Sequence, residues 1–283
     1  MTKRCLGRWL FGSILLLGGC TSTTTEATSS TITTPTTSST SPTSTDPQQT
    51  PPNGLDSITT ADGMVRTFRI VDLSEDASAP LILVLHGFGG TADGMRTYAG
   101  IERSVEETLD EGAIVVYPNG SGADEGFPQS WNAGGCCPFS TFDMVDDVAF
   151  LGDVIESVSG RFDVDPDRVW VVGHSNGGMM AYRLACELST RVTAIGVAAG
   201  AMMIDTCAST RPTSALHLHG ELDVVVPLLG GDGAGITFPS AQQSIERFSS
   251  GNQNRAQLVT DADWTHDWQP EWATLFLEFL AAT

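Results

Sequence analysis

Short apolar runs alternate with longer amphipathic segments through most of this chain. Leu81–Leu85 is an uninterrupted apolar run, which is typical of a strand buried on both faces of a sheet. Val145–Val158 instead repeats its apolar residues at helical spacing. The predicted strands are Val65–Val71, Leu81–Leu85, Ala113–Tyr117, Val169–Val172, Ala194–Ala198, Leu216–Leu218 and Gln257–Thr260. The predicted helices are Met95–Leu109, Val145–Val158, Met179–Ala185, Ser240–Phe248 and Glu271–Leu280.

This alternation predicts the α/β fold class, with a mostly parallel central sheet and helices on both of its faces. In such sheets the active site lies beyond the carboxyl ends of the strands. We therefore expect the chemistry in the loops that follow Leu85, Val172, Leu218 and Thr260.

The first part of the chain does not share this pattern. A basic start is followed by an apolar run from Trp9 to Leu17, which ends in Leu17-Gly18-Gly19-Cys20. This combination describes an export signal, since the apolar run is too short to span a membrane. A cysteine after Leu-Gly-Gly resembles the bacterial lipobox. We predict a lipoprotein signal peptide over residues 1–19 with lipidation of Cys20; an ordinary secretory signal cut nearby is the alternative.

Residues 20–53 are dominated by threonine, serine and proline, and they contain no aromatic residue. Such a composition cannot bury enough apolar surface to offset the entropy of ordering the chain, so we predict a disordered stalk. The remaining residues, 54–283, suffice for one α/β domain with a full core.

The chain is strongly acidic. It has 14 lysines and arginines against 34 aspartates and glutamates, a formal net charge of −20 at pH 7. This excess of negative charge argues against nucleic acid and against anionic surfaces as partners. We therefore expect membrane contact only through the Cys20 lipid. The sequence does not indicate whether the protein is a monomer or an oligomer.

Four of the six cysteines remain once Cys5 and Cys20 are assigned to the signal and the anchor. Export predicts two disulfides among them. A bridge between the neighbours Cys136 and Cys137 would be strained, so we expect their loop to be cross-linked to Cys186 and to Cys207, in either pairing. There is no Cys-x-x-Cys or paired histidine spacing, and we predict neither a metal nor a cofactor.

The strand-forming run Val169–Val172 leads directly into Gly173-His174-Ser175-Asn176-Gly177, and a helix-forming run follows. A strand, a sharp turn carrying a serine and a helix form the nucleophile elbow of α/β-hydrolases. The residues flanking the serine must then be small, as Gly173 and Gly177 are. We therefore predict Ser175 as the nucleophile of an α/β-hydrolase fold.

Chain order restricts the partners of this serine, because the fold places an acid and then a histidine after the nucleophile. His266 is the histidine that follows every plausible acid, so it is the predicted general base. Asp223 and Glu221 both lie just beyond the strand Leu216–Leu218. We favour Asp223, which stands at the usual distance after His-Gly, as the residue that orients the base.

The tetrahedral intermediate of acyl transfer needs N–H groups aimed at its oxygen. We predict the backbone N–H groups of Asn176 and of Phe88, the latter in His86-Gly87-Phe88-Gly89-Gly90. Three aromatic residues near these loops could line a substrate pocket or simply pack beneath the loops: Trp131, Trp264 and Trp268.

Several segments together resemble the extracellular poly(3-hydroxybutyrate) depolymerase-like esterases, which are similar to feruloyl and acetylxylan esterases. They are His86–Gly90, Tyr117–Gly120, Ser130–Cys137, Gly173–Arg183 and His219–Pro227. The resemblance covers nearly all of the domain and implies a serine carboxylesterase with the triad Ser175, Asp223 and His266. Its ester substrate would be a polyester oligomer or a polysaccharide-linked ester.

The segment between Asp223 and His266 is shorter than in that group, and His266 lies in Thr-His-Asp-Trp rather than Gly-Gly-His-x-Trp-Pro. This departure concerns the substrate-binding surface more than the triad. Two alternatives to the esterase remain at this point. One is a serine peptidase of the same fold, and the other is a non-catalytic binding lipoprotein with a hydrolase fold.

Overall fold

The computed structural model of the chain describes residues 54–75, 78–122 and 126–283. The predicted signal peptide, the lipidation site Cys20 and the predicted stalk lie outside these residues. Within the described ranges, no helix has both the length and the apolar character needed to cross a bilayer.

Eight strands form one central sheet, and two short strands form a separate hairpin. The strands are β1 (Asp56–Thr59), β2 (Val65–Asp72), β3 (Ala79–Leu85), β4 (Ile114–Pro118), β5 (Val164–His174), β6 (Ala194–Ala198), β7 (Ser214–Gly220), β8 (Gly231–Gly233), β9 (Ile236–Phe238) and β10 (Arg255–Asp261). The helices are α1 (Ala92–Ala99), α2 (Ile101–Thr108), α3 (Asp147–Ser159), α4 (Asn176–Glu187), α5 (Ala241–Ser249) and α6 (Trp272–Ala281).

The order of strands across the sheet is β1-β2-β4-β3-β5-β6-β7-β10. The pairs β1–β2 and β2–β4 are antiparallel, and every other pair is parallel. This is the mostly parallel sheet of an α/β-hydrolase, so the predicted fold class is confirmed. The parallel strands bring the loops after β3, β5, β7 and β10 to the same edge of the sheet.

Alternate residues of the central strands belong to two different hydrophobic clusters. Leu81, Leu83 and Leu85 pack with buried residues of α3 and α4. Ile82 and Val84, which point to the other face, pack with α1, α2 and α6. Both faces of the sheet are therefore covered, which explains the uninterrupted apolar runs of β3 and β4.

The structure differs from the predicted elements in three places. The single helix predicted over Met95–Leu109 is two helices, because Gly100 between them has a φ of 64° and ends α1 in the left-handed region. The strand β1 was not predicted, since Asp56–Thr59 is largely polar and half-exposed at the edge of the sheet. The hairpin of β8 and β9 was also missed.

Candidate active site

Ser175 lies between the end of β5 and the start of α4, with φ 53° and ψ −120°. A non-glycine residue rarely adopts this conformation, and the surrounding backbone imposes it. A Cβ placed on Gly173 would come within 3.0 Å of the Gly177 backbone, and one on Gly177 would come within 3.0 Å of the Leu85 carbonyl. The sharp turn therefore depends on both glycines, as the elbow motif predicts.

Ser175 and His266 are brought together although 91 positions separate them in the chain. The Nε2 atom of His266 lies 3.0 Å from Ser175 Oγ, and its Nδ1 atom lies 2.8 Å from Asp223 Oδ2. Because a carboxylate can only accept, Nδ1 donates to Asp223. A neutral His266 then presents an unprotonated Nε2 that accepts the hydrogen bond of the Ser175 hydroxyl.

Asp223 lies in the turn after β7 and is buried, whereas Glu221 is exposed and contacts Thr260. Asp223 Oδ1 accepts 2.8 Å hydrogen bonds from the backbone N–H groups of Val225 and Val226. Burial favours the neutral acid, but hydrogen bonds from His219 and His266 outweigh it and hold the pKa of Asp223 well below its ordinary value. The carboxylate beside His266 is therefore charged at neutral pH.

His174 supports His266 from the elbow side. Its Nε2 atom lies 2.7 Å from the His266 carbonyl, to which it donates. Burial lowers the pKa of His174 to about 4. The ring is therefore neutral at pH 7, and it does not repel a positive charge on the ring of His266, whose centroid is 5.2 Å away.

His86 fixes the glycine-rich loop after β3. Its Nε2 atom accepts a 2.9 Å hydrogen bond from the Gly120 N–H, so the proton is on Nδ1, which donates to the Gly87 carbonyl at 2.7 Å. Burial lowers the pKa of His86 to about 4, which keeps this arrangement neutral. A Cβ on Gly87 would lie only 3.3 Å from Ser175 Cβ, so the loop passes directly beside the serine.

The two predicted oxyanion-hole donors lie on either side of this serine. Phe88 follows Gly87 in the glycine-rich loop, and Asn176 is the first residue of α4. Neither backbone N–H has an acceptor among the described residues. Both donors are therefore available to a ligand oxygen, and the start of α4 adds its positive dipole end.

A cavity of about 870 Å³ opens above Ser175 and His266. Its wall is mainly apolar and includes side chains of Met95, Phe142, Met179, Val225, Ile236 and Phe238. The hairpin of β8 and β9 supplies two of them, although sequence reasoning missed this element. Its tight turn is formed by Ala234 and Gly235, which both have positive φ, and Gly235 is the residue of this pair that suggests a turn from sequence.

The assignment of three tryptophans to a substrate pocket is wrong, because none of them lines the cavity. Trp131 is fully buried, and its Nε1 atom donates to the His86 carbonyl at 2.9 Å. Trp264 and Trp268 are also buried, with ring centroids 5.3 Å and 5.8 Å from that of Trp272 on α6. These two rings pack beneath the loops and against α6.

The expected disulfide pairing is also wrong. Cys136 is bonded to Cys137, and Cys186 is bonded to Cys207 with 4.9 Å between their Cα atoms. The reason is distance along α4. The sulfur of Cys136 lies 3.8 Å from the side chain of Asn176, at the start of the helix. Cys186 is ten residues further on, which is roughly 15 Å at the rise of an α-helix.

Within the described ranges, no group of three or more histidine, cysteine, aspartate or glutamate side chains is placed to hold a metal ion. What the arrangement offers chemically is a serine hydroxyl hydrogen-bonded to an imidazole, which is in turn hydrogen-bonded to a buried carboxylate. Two free N–H groups and an apolar cavity lie beside the hydroxyl. Such a set is suited to nucleophilic attack on a carbonyl carbon.

Comparison with known proteins gives matches over the same region. The profile of the Esterase family, described as putative esterase, matches residues 63–281. Feruloyl esterase B of Piromyces equi is 29% identical over 187 residues, which is 62% of this chain and 33% of that protein. Feruloyl esterase C of Emericella nidulans is 31% identical over 202 residues, or 68% and 66% of the two chains. The chain therefore spans only part of these relatives.

Solved structures show the same fold at low identity. The structure of esterase PE8 superposes with a TM-score of 0.59 at 18% identity, covering 77% of this chain and 98% of that one. The Bacillus cereus carboxylesterase gives a TM-score of 0.58 at 15% identity, with 76% and 94% covered. These similarities support the α/β-hydrolase architecture.

Proposed function

The chain belongs to the Esterase family of α/β-hydrolase fold, and from that premise we propose that it hydrolyses carboxylic esters through an acyl-enzyme on Ser175. The observation that carries this proposal is the unbroken hydrogen-bonded line from Ser175 Oγ through His266 to Asp223, with contacts of 3.0 Å and 2.8 Å. A serine hydroxyl is a poor nucleophile unless a base takes its proton during attack, and His266 Nε2 is placed to do so.

In the first half-reaction Ser175 Oγ attacks the ester carbonyl carbon while its proton passes to His266 Nε2. The carbonyl oxygen becomes an oxyanion, which the N–H groups of Phe88 and Asn176 would stabilise. The C–O bond to the alcohol then breaks, and His266 returns the proton to the departing alkoxide oxygen. The acyl group remains on Ser175, and Asp223 stabilises the transient imidazolium.

In the second half-reaction water takes the place of the alcohol. His266 removes one proton from the water as its oxygen attacks the acyl carbon. The bond to Ser175 Oγ breaks, and the serine recovers its proton from His266. One carboxylic acid and one alcohol result from each ester and water.

The cavity favours an uncharged, apolar or aromatic acyl group. Its titratable side chains are three histidines and Tyr98, of which His86 and His174 are neutral by burial. A carboxylate on the acyl group would find no cationic side chain among the lining residues. The feruloyl esterase names of two relatives and the resemblance to polyester depolymerases agree with this class, so we propose feruloyl, acetyl or hydroxyalkanoate esters as substrates.

We further propose that the enzyme acts outside the cytoplasm, anchored through a lipid on Cys20. This proposal rests on the sequence of residues 1–20 and on the two disulfides of the domain. Expression of the full chain with Cys20→Ser should move the protein from the membrane fraction to the soluble exported fraction. Continued retention in the membrane fraction would contradict the anchor.

The proposed reaction is tested with p-nitrophenyl acetate, p-nitrophenyl butyrate and methyl ferulate. Ser175→Ala should lose turnover on the order of 10⁴-fold or more, because the hydroxyl forms the covalent bond. Ser249→Ala is the matched control, since this exposed serine at the end of α5 lines no part of the cavity. Absence of turnover by the unaltered protein, or equal turnover by Ser175→Ala, would overturn the proposal.

A further inference from the structure

A row of hydrogen-bonded polar side chains runs through the core behind Asp223. The Tyr182 hydroxyl on α4 lies 2.9 Å from His217 Nδ1 on β7, and His217 Nε2 lies 2.9 Å from His219 Nδ1. All three side chains are buried. Burial of so many polar atoms is unfavourable unless each is hydrogen-bonded, so their arrangement needs an explanation.

The direction of every hydrogen bond in the row follows from its last member. His219 Nε2 lies 2.8 Å from the Val226 carbonyl, which can only accept, so the proton of His219 is on Nε2. The Nδ1 atom of a neutral His219 then accepts from His217 Nε2, and His217 Nδ1 accepts from the Tyr182 hydroxyl. In this arrangement every member is neutral, and the one proton on His219 Nε2 has two acceptors, the Val226 carbonyl at 2.8 Å and Asp223 Oδ2 at 3.3 Å.

The pKa shifts agree with this neutral state. Burial holds the pKa of His217 well below its ordinary value, and the nearby His219 lowers it further. Burial also raises the pKa of Tyr182. Neither group therefore ionises near neutral pH, so the row delivers a fixed N–H rather than a proton.

The row ends on the carboxylate that holds the proposed base. His219 Nε2 is 3.3 Å from Asp223 Oδ2, the same oxygen that accepts from His266 Nδ1 at 2.8 Å. The other oxygen, Oδ1, accepts from the N–H groups of Val225 and Val226. Four donors thus surround the buried carboxylate and leave it a single orientation toward His266.

We propose that His219 is a positioning residue of the esterase reaction, and that Tyr182 and His217 set the tautomer in which it donates to Asp223; the inference rests on the function proposed above. The His219 N–H has two effects. It fixes Oδ2 in the direction of His266 Nδ1. It also takes up part of the negative charge of Oδ2, so that loss of this N–H would leave more negative charge facing the His266 ring.

Among the described residues, few other titratable or charged groups surround Asp223 and His266 and could change the pH dependence of activity. His174 from the elbow faces His266, and Asp267 from the loop after β10 acts on His174. The helix α5 packs Phe248 against Tyr182, with 5.5 Å between ring centroids. A change at His219 should therefore reach His266 through Asp223.

The test compares His219→Leu, which removes the donor, with His219→Gln, whose amide N–H can occupy the position of Nε2. For His219→Leu we expect kcat to fall by about 10- to 100-fold, a part of the roughly 10²- to 10⁴-fold that positioned acid–base catalysis supplies. KM should stay within about threefold, because His219 does not line the cavity. The acidic limb of kcat/KM should rise by about half a pH unit, the size expected for one lost hydrogen bond.

His219→Gln should return the acidic limb of the kcat/KM profile to its original pH and recover most of kcat. Phe248→Leu is the control, since it disturbs the packing of the same cluster without removing a hydrogen bond. It should lower stability and leave the limb in place. A limb that is unmoved in His219→Leu, or moved equally in the Leu and Gln variants, would overturn the inference.

A second measurement does not depend on the folding of any variant at His219. Imidazole ¹⁵N NMR of the full chain at neutral pH should show the ring proton of His217 and that of His219 on Nε2. A doubly protonated His219, or its Nδ1–H tautomer, would overturn the inference. Failure of the proposed function is distinguishable, because turnover would then be absent or independent of Ser175, whereas Ser175-dependent turnover with an unmoved limb rejects the role of His219 alone.

Discussion

The elbow at Gly173–Gly177 and the loop over residues 126–146 border the same cavity, but they are held in place in different ways. The elbow is held by contacts between backbone atoms, which leave no room for a Cβ at Gly173 or Gly177. The loop is held by side chains from distant parts of the sequence. Asn176 accepts from the Trp131 N–H at 2.7 Å and donates to the Trp131 carbonyl at 3.0 Å, across 45 positions of the chain.

A second anchor of the loop is Asp147, at the start of α3. Its Oδ2 atom accepts from the Asn132 N–H at 2.7 Å, and its Oδ1 atom pairs with Arg66 at 2.7 Å. The pair is buried, with 4% and 0% of the two side chains exposed. A local steric requirement therefore fixes the turn at Ser175, whereas long-range polar contacts fix the wall of the cavity.

The largest expected effect comes from a methyl group at the elbow. Gly173→Ala would place a Cβ within 3.0 Å of the Gly177 and Gly178 backbones, which cannot move without unfolding the turn. We expect a loss of at least about 4 kcal/mol in the free energy of unfolding, or no folded protein at all. Urea unfolding followed by circular dichroism measures the loss.

Gly160→Ala is the matched control for this change. Gly160 caps α3 with φ −76°, and its added Cβ would meet carbonyl oxygens at ordinary distances of 3.4 Å and 3.7 Å. It should be neutral or stabilising by up to about 1 kcal/mol. A stable, active Gly173→Ala would show that the elbow is not held by backbone contacts.

The next effect should come from the anchor of the loop. Asp147→Asn leaves Arg66 buried without its charge partner, and we expect a loss of about 3 kcal/mol in the free energy of unfolding. Asp167→Asn is the control, because its ion pair with Arg211 is exposed and should contribute less than about 1 kcal/mol. Equal losses in the two variants would remove the distinction between buried and exposed pairs.

The sequence predicted what depends on local pattern and on chain order. The strands and the turn at Ser175 follow from apolar runs and from glycines at fixed positions. The choice of His266 follows from the order in which the fold places its active-site loops, and the structure brings it to Ser175 and Asp223. The roles of these residues in catalysis stay proposals that the variants above test.

What the sequence could not predict depends on distances between remote segments. Trp131 is a residue type that often lines substrate pockets. Its backbone N–H and carbonyl nevertheless bind the Asn176 side chain, and its ring is buried. The pairing of Cys186 with Cys207 depends on where α4 ends relative to a loop 21 positions away. Strand β8 has no apolar side chain and β9 is only three residues long, so neither can be recognised by alternation.

The Cys186–Cys207 bridge cross-links the far end of α4, the helix that begins at the elbow. Its two cysteines are separated by 21 positions, and the double variant Cys186→Ser/Cys207→Ser should lose about 3 kcal/mol of stability through the freed unfolded chain. KM and kcat should be nearly unchanged at temperatures where the variant is folded, since neither residue lines the cavity. A large loss of activity in the folded variant would mean that the far end of α4 also controls the elbow.

The smallest effect on stability is expected from a side chain that the loop exposes to the cavity. Phe142 is 81% exposed and lines the cavity wall, so Phe142→Ala should change the free energy of unfolding by less than about 0.5 kcal/mol. If the ring covers a bound apolar acyl group, the loss of roughly 1 kcal/mol of apolar burial should raise KM for p-nitrophenyl butyrate about fivefold. The KM for the acetate should change less, because its acyl group is shorter.

Val65→Ala is the control for this last variant, since Val65 is 61% exposed on β2 and does not line the cavity. It should leave both KM values unchanged. A fall in kcat with constant KM in Phe142→Ala would place the loop in the chemical step rather than in binding. The proposed division between an elbow that carries the chemistry and a loop that shapes the cavity would then fail, because one side chain of the loop would act on the reacting atoms.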